Sequence, residues 1–235
     1  MALSFIRGLP FPASPPSPRQ RAVFLDKDGT LVENVPYNVD PALLRFTPRA
    51  VEGLRLLVEH GYLLIVVSNQ PGLALRRFDR AALTKLQKGL AALMREGGAP
   101  LTGFYACPHL GAPSPGPSPL VAGCLCRKPA PGLLRQAAQA HRLDLAHCGM
   151  VADILDDVEA GRRAGCRTVL MDVGNETVWR VTPLRTPDLR AQDLLDAARQ
   201  ILAHEPHHEA AGLPSGGLPP SLPMQHPLES KLHEL

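Results

Sequence analysis

The stretch Val23-Phe24-Leu25-Asp26-Lys27-Asp28-Gly29-Thr30-Leu31 decides the fold. An apolar run that ends in D-x-D-G-T reads as a buried strand with two carboxylates at its carboxyl edge. Residues i and i+2 of a strand lie on the same side, so Asp26 and Asp28 are expected to converge on one small space. Close carboxylates repel, a cost that makes sense where a cation and a phosphate share the space. The pattern points to phosphoryl transfer, with Asp26 as nucleophile and Asp28 as acid/base. Asp, Gly and Thr also favour turns, so an ordinary polar turn after a strand is the competing reading of these residues alone.

Outward from this strand, short apolar runs alternate with helical patterns, which predicts an α/β protein with a parallel sheet and crossover helices. Strands are expected at 22–25, 63–67, 101–105, 148–151 and 168–171. Helices are expected over 48–59, 79–96, 131–141, 155–164 and 188–203, with Asp79 capping the second and Gly97-Gly98 stopping it. Open parallel sheets gather ligands at the carboxyl ends of their strands. Asp26, Asp28, Ser68-Asn69-Gln70, Arg127-Lys128 and Asp153 all follow predicted strands or precede helices, which lines them along one edge of the sheet.

The 235 residues suffice for one substantial core. Residues 1–20 carry five prolines, and 205–235 are rich in Pro, His, Gly and Ser. Both are expected to be disordered tails around a single domain over 21–204. A net charge of +3 with scattered arginines gives no basic stripe, so nucleic acid is not an expected partner. The longest apolar run, Tyr62 to Val67, is far too short for a bilayer, and the N-terminus lacks the basic start and long apolar core of a signal peptide. A cytoplasmic monomer with no membrane partner is expected, its five cysteines being thiols or metal ligands.

Four of the potential ligands fall in a pattern. Cys107-Pro108-His109 and Cys124-Leu125-Cys126 form C-x-H and C-x-C pairs, and three thiolates with one imidazole suit tetrahedral zinc. All four positions would be filled by protein, so such a zinc is structural and holds Arg127 and Lys128 against the phosphate site. A disulfide pair, or four unrelated residues, remain open on the residues alone. Cys148 and Cys166 read as buried thiols.

Four segments, Asp26-Lys27-Asp28-Gly29-Thr30, Val67-Ser68-Asn69-Gln70, Cys126-Arg127-Lys128-Pro129 and Val151-Ala152-Asp153 continuing to Asp157 and Gly161, occur in an order and spacing that resemble the haloacid dehalogenase (HAD) superfamily. Within it, the chain is similar to subfamily IIIA, the branch of heptose 1,7-bisphosphate and histidinol-phosphate phosphatases. The resemblance runs from about Arg21 to about Asn175. It implies a Rossmann-like HAD fold, a central parallel sheet flanked by helices, no large cap domain and a zinc-binding loop.

The resemblance also implies roles. Asp26 would attack phosphorus and form an aspartyl-phosphate, while Asp28 would protonate the leaving alkoxide and later deprotonate water. Magnesium would be held by Asp26, the main-chain carbonyl of Asp28, and Asp153. Ser68 would hydrogen-bond the phosphoryl group with the main-chain amides of Asn69 and Gln70, and Lys128 would neutralise its charge. Arg127 suits a second phosphate or carboxylate, which fits a small sugar bisphosphate as substrate. Asn34 and Tyr37 fall where the resembling phosphatases contact substrate.

Two departures stand out: Ala152 replaces the glycine of the fourth segment, and Leu75-Arg76 stands where relatives often carry Arg-Gly. The methyl group of Ala152 is expected to crowd the metal site if it has any effect. Histidinol phosphate is the alternative substrate, and a zinc-containing binding protein with weakened catalysis is the alternative class. A phosphatase acting on nucleic-acid ends is disfavoured by the missing basic face.

Overall fold

The computed structural model of the protein describes residues 20–111 and 124–204. Their apolar runs form six strands: β1 (Ala22–Leu25), β2 (Leu63–Asn69), β3 (Gly103–Cys107), β4 (Gly149–Ala152), β5 (Arg167–Met171) and β6 (Leu189–Ala191). All pair in parallel, in the order β3-β2-β1-β4-β5-β6. Helices α1 (Ala50–Glu59), α2 (Arg80–Glu96), α3 (Gly132–His141) and α4 (Leu155–Ala164) connect the first five strands, and α5 (Leu194–Ala203) follows β6.

Because side chains alternate along a strand, each strand of the centre feeds two cores. Val23, Leu25, Leu64, Val66 and Val151 pack with Leu54 and Leu57 of α1, Leu86 and Leu90 of α2 and Leu194 of α5. Ala22, Phe24, Ile65, Val67, Met150 and Ala152 pack on the other face, with Leu133 and Leu134 of α3 and Ala160 of α4. The result is a three-layer α/β/α sandwich, as the sequence predicts. Gly53 lets α1 meet α5 closely: a Cβ there would lie 2.5 Å from the Leu194 carbonyl oxygen. No described helix is long and apolar enough to cross a membrane.

The structure corrects three local expectations. The helix expected over 188–203 begins only at Leu194, capped by Asp193, whose side chain accepts from Asp196 N. Its first residues instead form β6, an edge strand of three residues, too short to show a period of two in the sequence. Asp188, the first residue of the expected helix, accepts from both the amide and the hydroxyl of Thr168 at 2.8 Å. Second, β3 starts and ends two residues later than expected, because its ladder pairs Ile65 with Gly103 and Asn69 with Cys107. This brings Cys107 to the end of the strand. Third, Gln20, assigned to the N-terminal tail, bridges to Leu143, and its carbonyl accepts from Asp144 N at 3.1 Å. The remainder of both expected tails lies outside the described residues.

Ala152 ends β4, directly before Asp153, and its side chain is buried in the core cluster that holds residues of α3 and α4.

Candidate active site

Adjacent strands β1 and β4 lead away in opposite directions, β1 to β2 and β4 to β5, and the crevice of an open sheet forms at such a reversal. Asp26 directly follows β1, and its amide donates to the Val151 carbonyl of β4 at 3.1 Å. Asp153 directly follows β4. Asp157, in the first turn of α4, completes a buried trio whose carboxylate oxygens lie within 4.8 Å of one another.

Lys128 supplies the counter-charge. It is 2% exposed, pairs with Asp26, lies 2.5 Å from Asp157 Oδ1 and donates to the Val67 carbonyl at 2.9 Å. The Lys128–Asp157 contact is an ion pair between two fully buried groups. Asn69 fixes the base of the lysine: its side chain donates to Lys128 O and accepts from Lys128 N, both at 3.1 Å.

Asp153 is held on both oxygens, by the Thr30 hydroxyl and by the Asn175 amide, each at 2.8 Å. Gly29, at φ +89, keeps this arrangement open, for a Cβ there would lie 2.2 Å from Asp153 Oδ2. Asp28 stands apart from the trio, and its carboxylate pairs with the buried ammonium of Lys27. Asp26 and Asp28 lie in the turn after β1 rather than on the strand itself.

The electrostatics show a deficit of positive charge. Burial pushes the Asp28 carboxyl above its ordinary range against the pull of Lys27. Burial and then the charge of Asp26 do the same to Asp153, against its Thr30 and Asn175 bonds. Burial drives Asp157 up to about 8 despite Lys128. Burial alone would lower the Lys128 pKa, but Asp157 and Asp26 outweigh it and raise it. Four carboxylates (Asp26, Asp28, Asp153, Asp157) face two ammonium groups (Lys27, Lys128), so the donor set fits a hard divalent cation.

Ser68 and Asn69 are the last residues of β2, beside this group. Ser68 is buried, and its hydroxyl accepts from Gln70 Nε2 at 2.8 Å. The expected phosphate contact from the Gln70 main chain is corrected: that amide donates to the Cys107 carbonyl at 2.7 Å, because pairing with β3 extends past the strand end. The side chain of Gln70 holds Ser68 instead. Arg127 donates from Nη1 to the His109 carbonyl at 3.0 Å, tying the loop before α3 to the Cys/His group. Asn34 and Tyr37 are exposed in the loop between β1 and α1, where Arg77 stacks over the Tyr37 ring at 5.1 Å.

Cys107, His109, Cys124 and Cys126 converge as the spacing predicts. His109 Nδ1 lies 3.3 Å from Cys107 Sγ and 3.2 Å from Cys126 Sγ, and Cys107 Sγ lies 3.3 and 3.8 Å from the sulfurs of Cys126 and Cys124. These separations suit the edges of a tetrahedron around a metal with bonds of about 2.0–2.3 Å. All five cysteines are free thiols, so the alternative of a disulfide is not realised.

Sequence reasoning left Asp157 and Lys27 without roles and did not single out Asn175. Asp157 had a signal, since its place four residues after Asp153 puts it one helical turn along. Asn175 had none, because its bond to Asp153 spans 22 residues of chain.

With this geometry in view, the chain can be set beside known proteins. Residues 21–158 match the family described as polynucleotide kinase 3 phosphatase, and residues 125–197 the one described as HAD-hydrolase-like. The D-glycero-beta-D-manno-heptose-1,7-bisphosphate 7-phosphatase of Pasteurella multocida is 35% identical over 156 residues, 66% of this chain and 83% of the relative. The chain belongs to the HAD-like phosphatases. Among these phosphatases, the enzyme of the same name from Escherichia coli is 31% identical over 185 residues, 79% of this chain and 91% of the relative. A crystal structure of the D,D-heptose 1,7-bisphosphate phosphatase of B. bronchiseptica, complexed with magnesium and phosphate, is 29% identical. It matches with a TM-score of 0.63 over 78% of this chain and 98% of that one. A HAD-like phosphatase from Mesorhizobium loti is 30% identical, with a TM-score of 0.66 over 83% of this chain and 91% of that one.

Proposed function

We propose that this HAD-like phosphatase removes the 7-phosphate of D-glycero-D-manno-heptose 1,7-bisphosphate through an aspartyl-phosphate at Asp26. The observation that carries the reading is the buried group of Asp26, Asp153, Asp157 and Lys128 at the reversal of the sheet, in a chain similar to heptose bisphosphate phosphatases.

In the first step a carboxylate oxygen of Asp26 bonds to phosphorus while the bond to the sugar oxygen breaks, and Asp28 gives that alkoxide a proton. In the second step Asp28 takes a proton from water as the water oxygen bonds to phosphorus. The bond to Asp26 breaks, restoring its carboxylate and releasing phosphate. Burial raises the Asp28 pKa, the direction that helps a carboxyl group hold its proton. Lys128 pairs with Asp26, and Ser68, held by Gln70, would bind the phosphoryl oxygens. Asn69 acts by fixing Lys128.

Magnesium would be held by Asp26, Asp153 and the Asp28 carbonyl, and would supply charge neutralisation of the transferring phosphoryl group. Zinc would be held by Cys107, His109, Cys124 and Cys126 and would supply no chemistry, all four ligands coming from protein. The free thiols and this thiolate site favour a reducing compartment such as the cytoplasm. Arg49, Arg162, Arg163, Arg185 and Arg190 each face a carboxylate, an arrangement ill-suited to gripping a nucleic-acid backbone.

The test is phosphate release from heptose 1,7-bisphosphate, histidinol phosphate and a 3′-phosphorylated oligonucleotide, with magnesium and with chelator. One equivalent of phosphate from the heptose, dependent on magnesium and faster than from the other two, is expected. Faster release from either competitor would replace the substrate.

A second expectation concerns Asn175. Its loss should leave one oxygen of Asp153 unanchored and weaken divalent-cation binding by about tenfold, the usual effect of removing a residue that orients a metal ligand. Titrating Asn175→Ala with manganese, followed by electron paramagnetic resonance, reads this without turnover. An unchanged affinity would mean that Thr30 alone orients Asp153.

A further inference from the structure

Asp153 lies between the end of β4 and the start of α4, so its position depends on how that helix begins. The amides of a first helical turn have no partner within the helix. In α2 and α5 the residue at the start answers one of them itself, through the side chains of Asp79 and Asp193. The residue in that place in α4 is Ile154, which has no side-chain oxygen to offer. The acceptor comes instead from 21 residues along the chain: Glu176 Oε2 accepts from Leu155 N at 2.7 Å.

The other oxygen of the same carboxylate accepts from Val178 N at 2.6 Å, which fixes the Glu176 side chain within its own loop. Gly174, at φ +86, turns the chain just before Asn175 and Glu176, in a conformation that glycine adopts without strain. Two consecutive residues of one loop therefore grip the segment 153–155. Asn175 holds the side chain of Asp153 at 2.8 Å, and Glu176 holds the main chain of Leu155.

Leu155 stands between Asp153 and Asp157, two of the three buried carboxylates. Its side chain is buried with Val158 and Leu170, and Asp157 N donates to the Ile154 carbonyl at 3.3 Å. Placing the Leu155 amide therefore places the turn that carries both carboxylates. A charged acceptor binds an amide more strongly than a neutral one and is favoured at a helix N-terminus. It also adds negative charge next to a site that already has an excess, a cost that makes sense where position matters more than charge.

We propose that Glu176 is a positioning residue for the divalent-cation site, pinning the start of α4 so that Asp153 and Asp157 face Asp26 before a cation arrives. Without it the cation has to order its own ligands, which lowers affinity. The assignment rests on the reading of Asp153 as a magnesium ligand.

The test titrates the full chain with manganese, followed by electron paramagnetic resonance. The manganese dissociation constant should rise about 30-fold in Glu176→Ala, on the scale of roughly 10- to 100-fold for residues that orient metal ligands. It should rise less in Glu176→Gln, which keeps one acceptor oxygen. Asp193→Ala removes the cap of a helix that carries none of the ligands, and should lower the melting temperature while leaving manganese affinity unchanged. Circular dichroism shows whether each variant folds; if Glu176→Ala does not, Glu176→Gln carries the comparison alone. An affinity unchanged at residue 176, or one that falls equally in Asp193→Ala, would overturn the assignment and leave Glu176 as a cap that only stabilises α4. Asp153→Ala separates the two readings: if it binds manganese as tightly as the wild type, the cation site itself is misplaced and this assignment falls with it.

Discussion

Asp26→Asn is expected to lower phosphate release by at least about four orders of magnitude while leaving the protein folded, because the group that would form the covalent intermediate loses its nucleophilic oxygen. Asparagine has the same shape, and the main-chain bond from residue 26 to Val151 does not depend on the side chain. The buried lysine keeps a partner in Asp157, 2.5 Å away. The charge of Asp26 is among the causes that raise Asp28, Asp153 and Asp157, so its removal relieves repulsion. Thermal stability should be equal to or above that of the wild type. Single-turnover phosphate release together with a melting curve checks both halves. Residual activity above about one part in a hundred would point to a different nucleophile, since a supporting carboxylate is far less costly to lose.

Lys128→Met combines loss of function with loss of stability. Turnover should fall by about two to three orders of magnitude, the usual effect of removing charge stabilisation from a transferring group. Stability should fall by up to about 3–5 kcal/mol, because Asp26 and Asp157 are left buried without their counter-ion. Protonation limits that cost. Burial already lifts Asp157 to about 8, and losing the Lys128 charge lifts it further. An acid whose pKa is raised on folding binds its proton more tightly in the native state, so its contribution is fullest at low pH and fades as pH rises through the folded value. The deficit of the variant relative to wild type, in magnesium-free buffer, should therefore be smaller at pH 5.5 than at pH 8.5. Adding Asp157→Leu removes the orphaned charge and should recover stability without recovering turnover. A deficit that does not change with pH would mean that water, rather than Lys128, answers these carboxylates.

The sequence and the structure divide the explanation of this protein along physical lines. Short-range signals carried the layout. Apolar runs of strand length, the Asp79 cap and the Gly97 stop marked most elements within two residues, because each depends on a window of only a few positions. The order of the four segments and the C-x-H and C-x-C spacing marked the candidate site, since parallel-sheet topology brings strand ends to one edge however the details settle. The misjudged β6 shows where such signals end. Three residues show no period, and Asp188 reads as part of the helix until β5 is placed beside it.

By itself, then, the sequence determined the α/β sheet, the edge on which the chemistry sits and most of the side chains gathered there. Only the tertiary structure decided which of them answer one another. It paired Lys128 with both Asp26 and Asp157, gave Asn175 to Asp153, turned the Gln70 amide to β3 and the Ala152 methyl into the core, and set Glu176 at the start of α4. Those contacts join residues as much as 102 positions apart. They follow from strand order, register and the balance of buried charge, quantities that exist only once the chain has closed on itself.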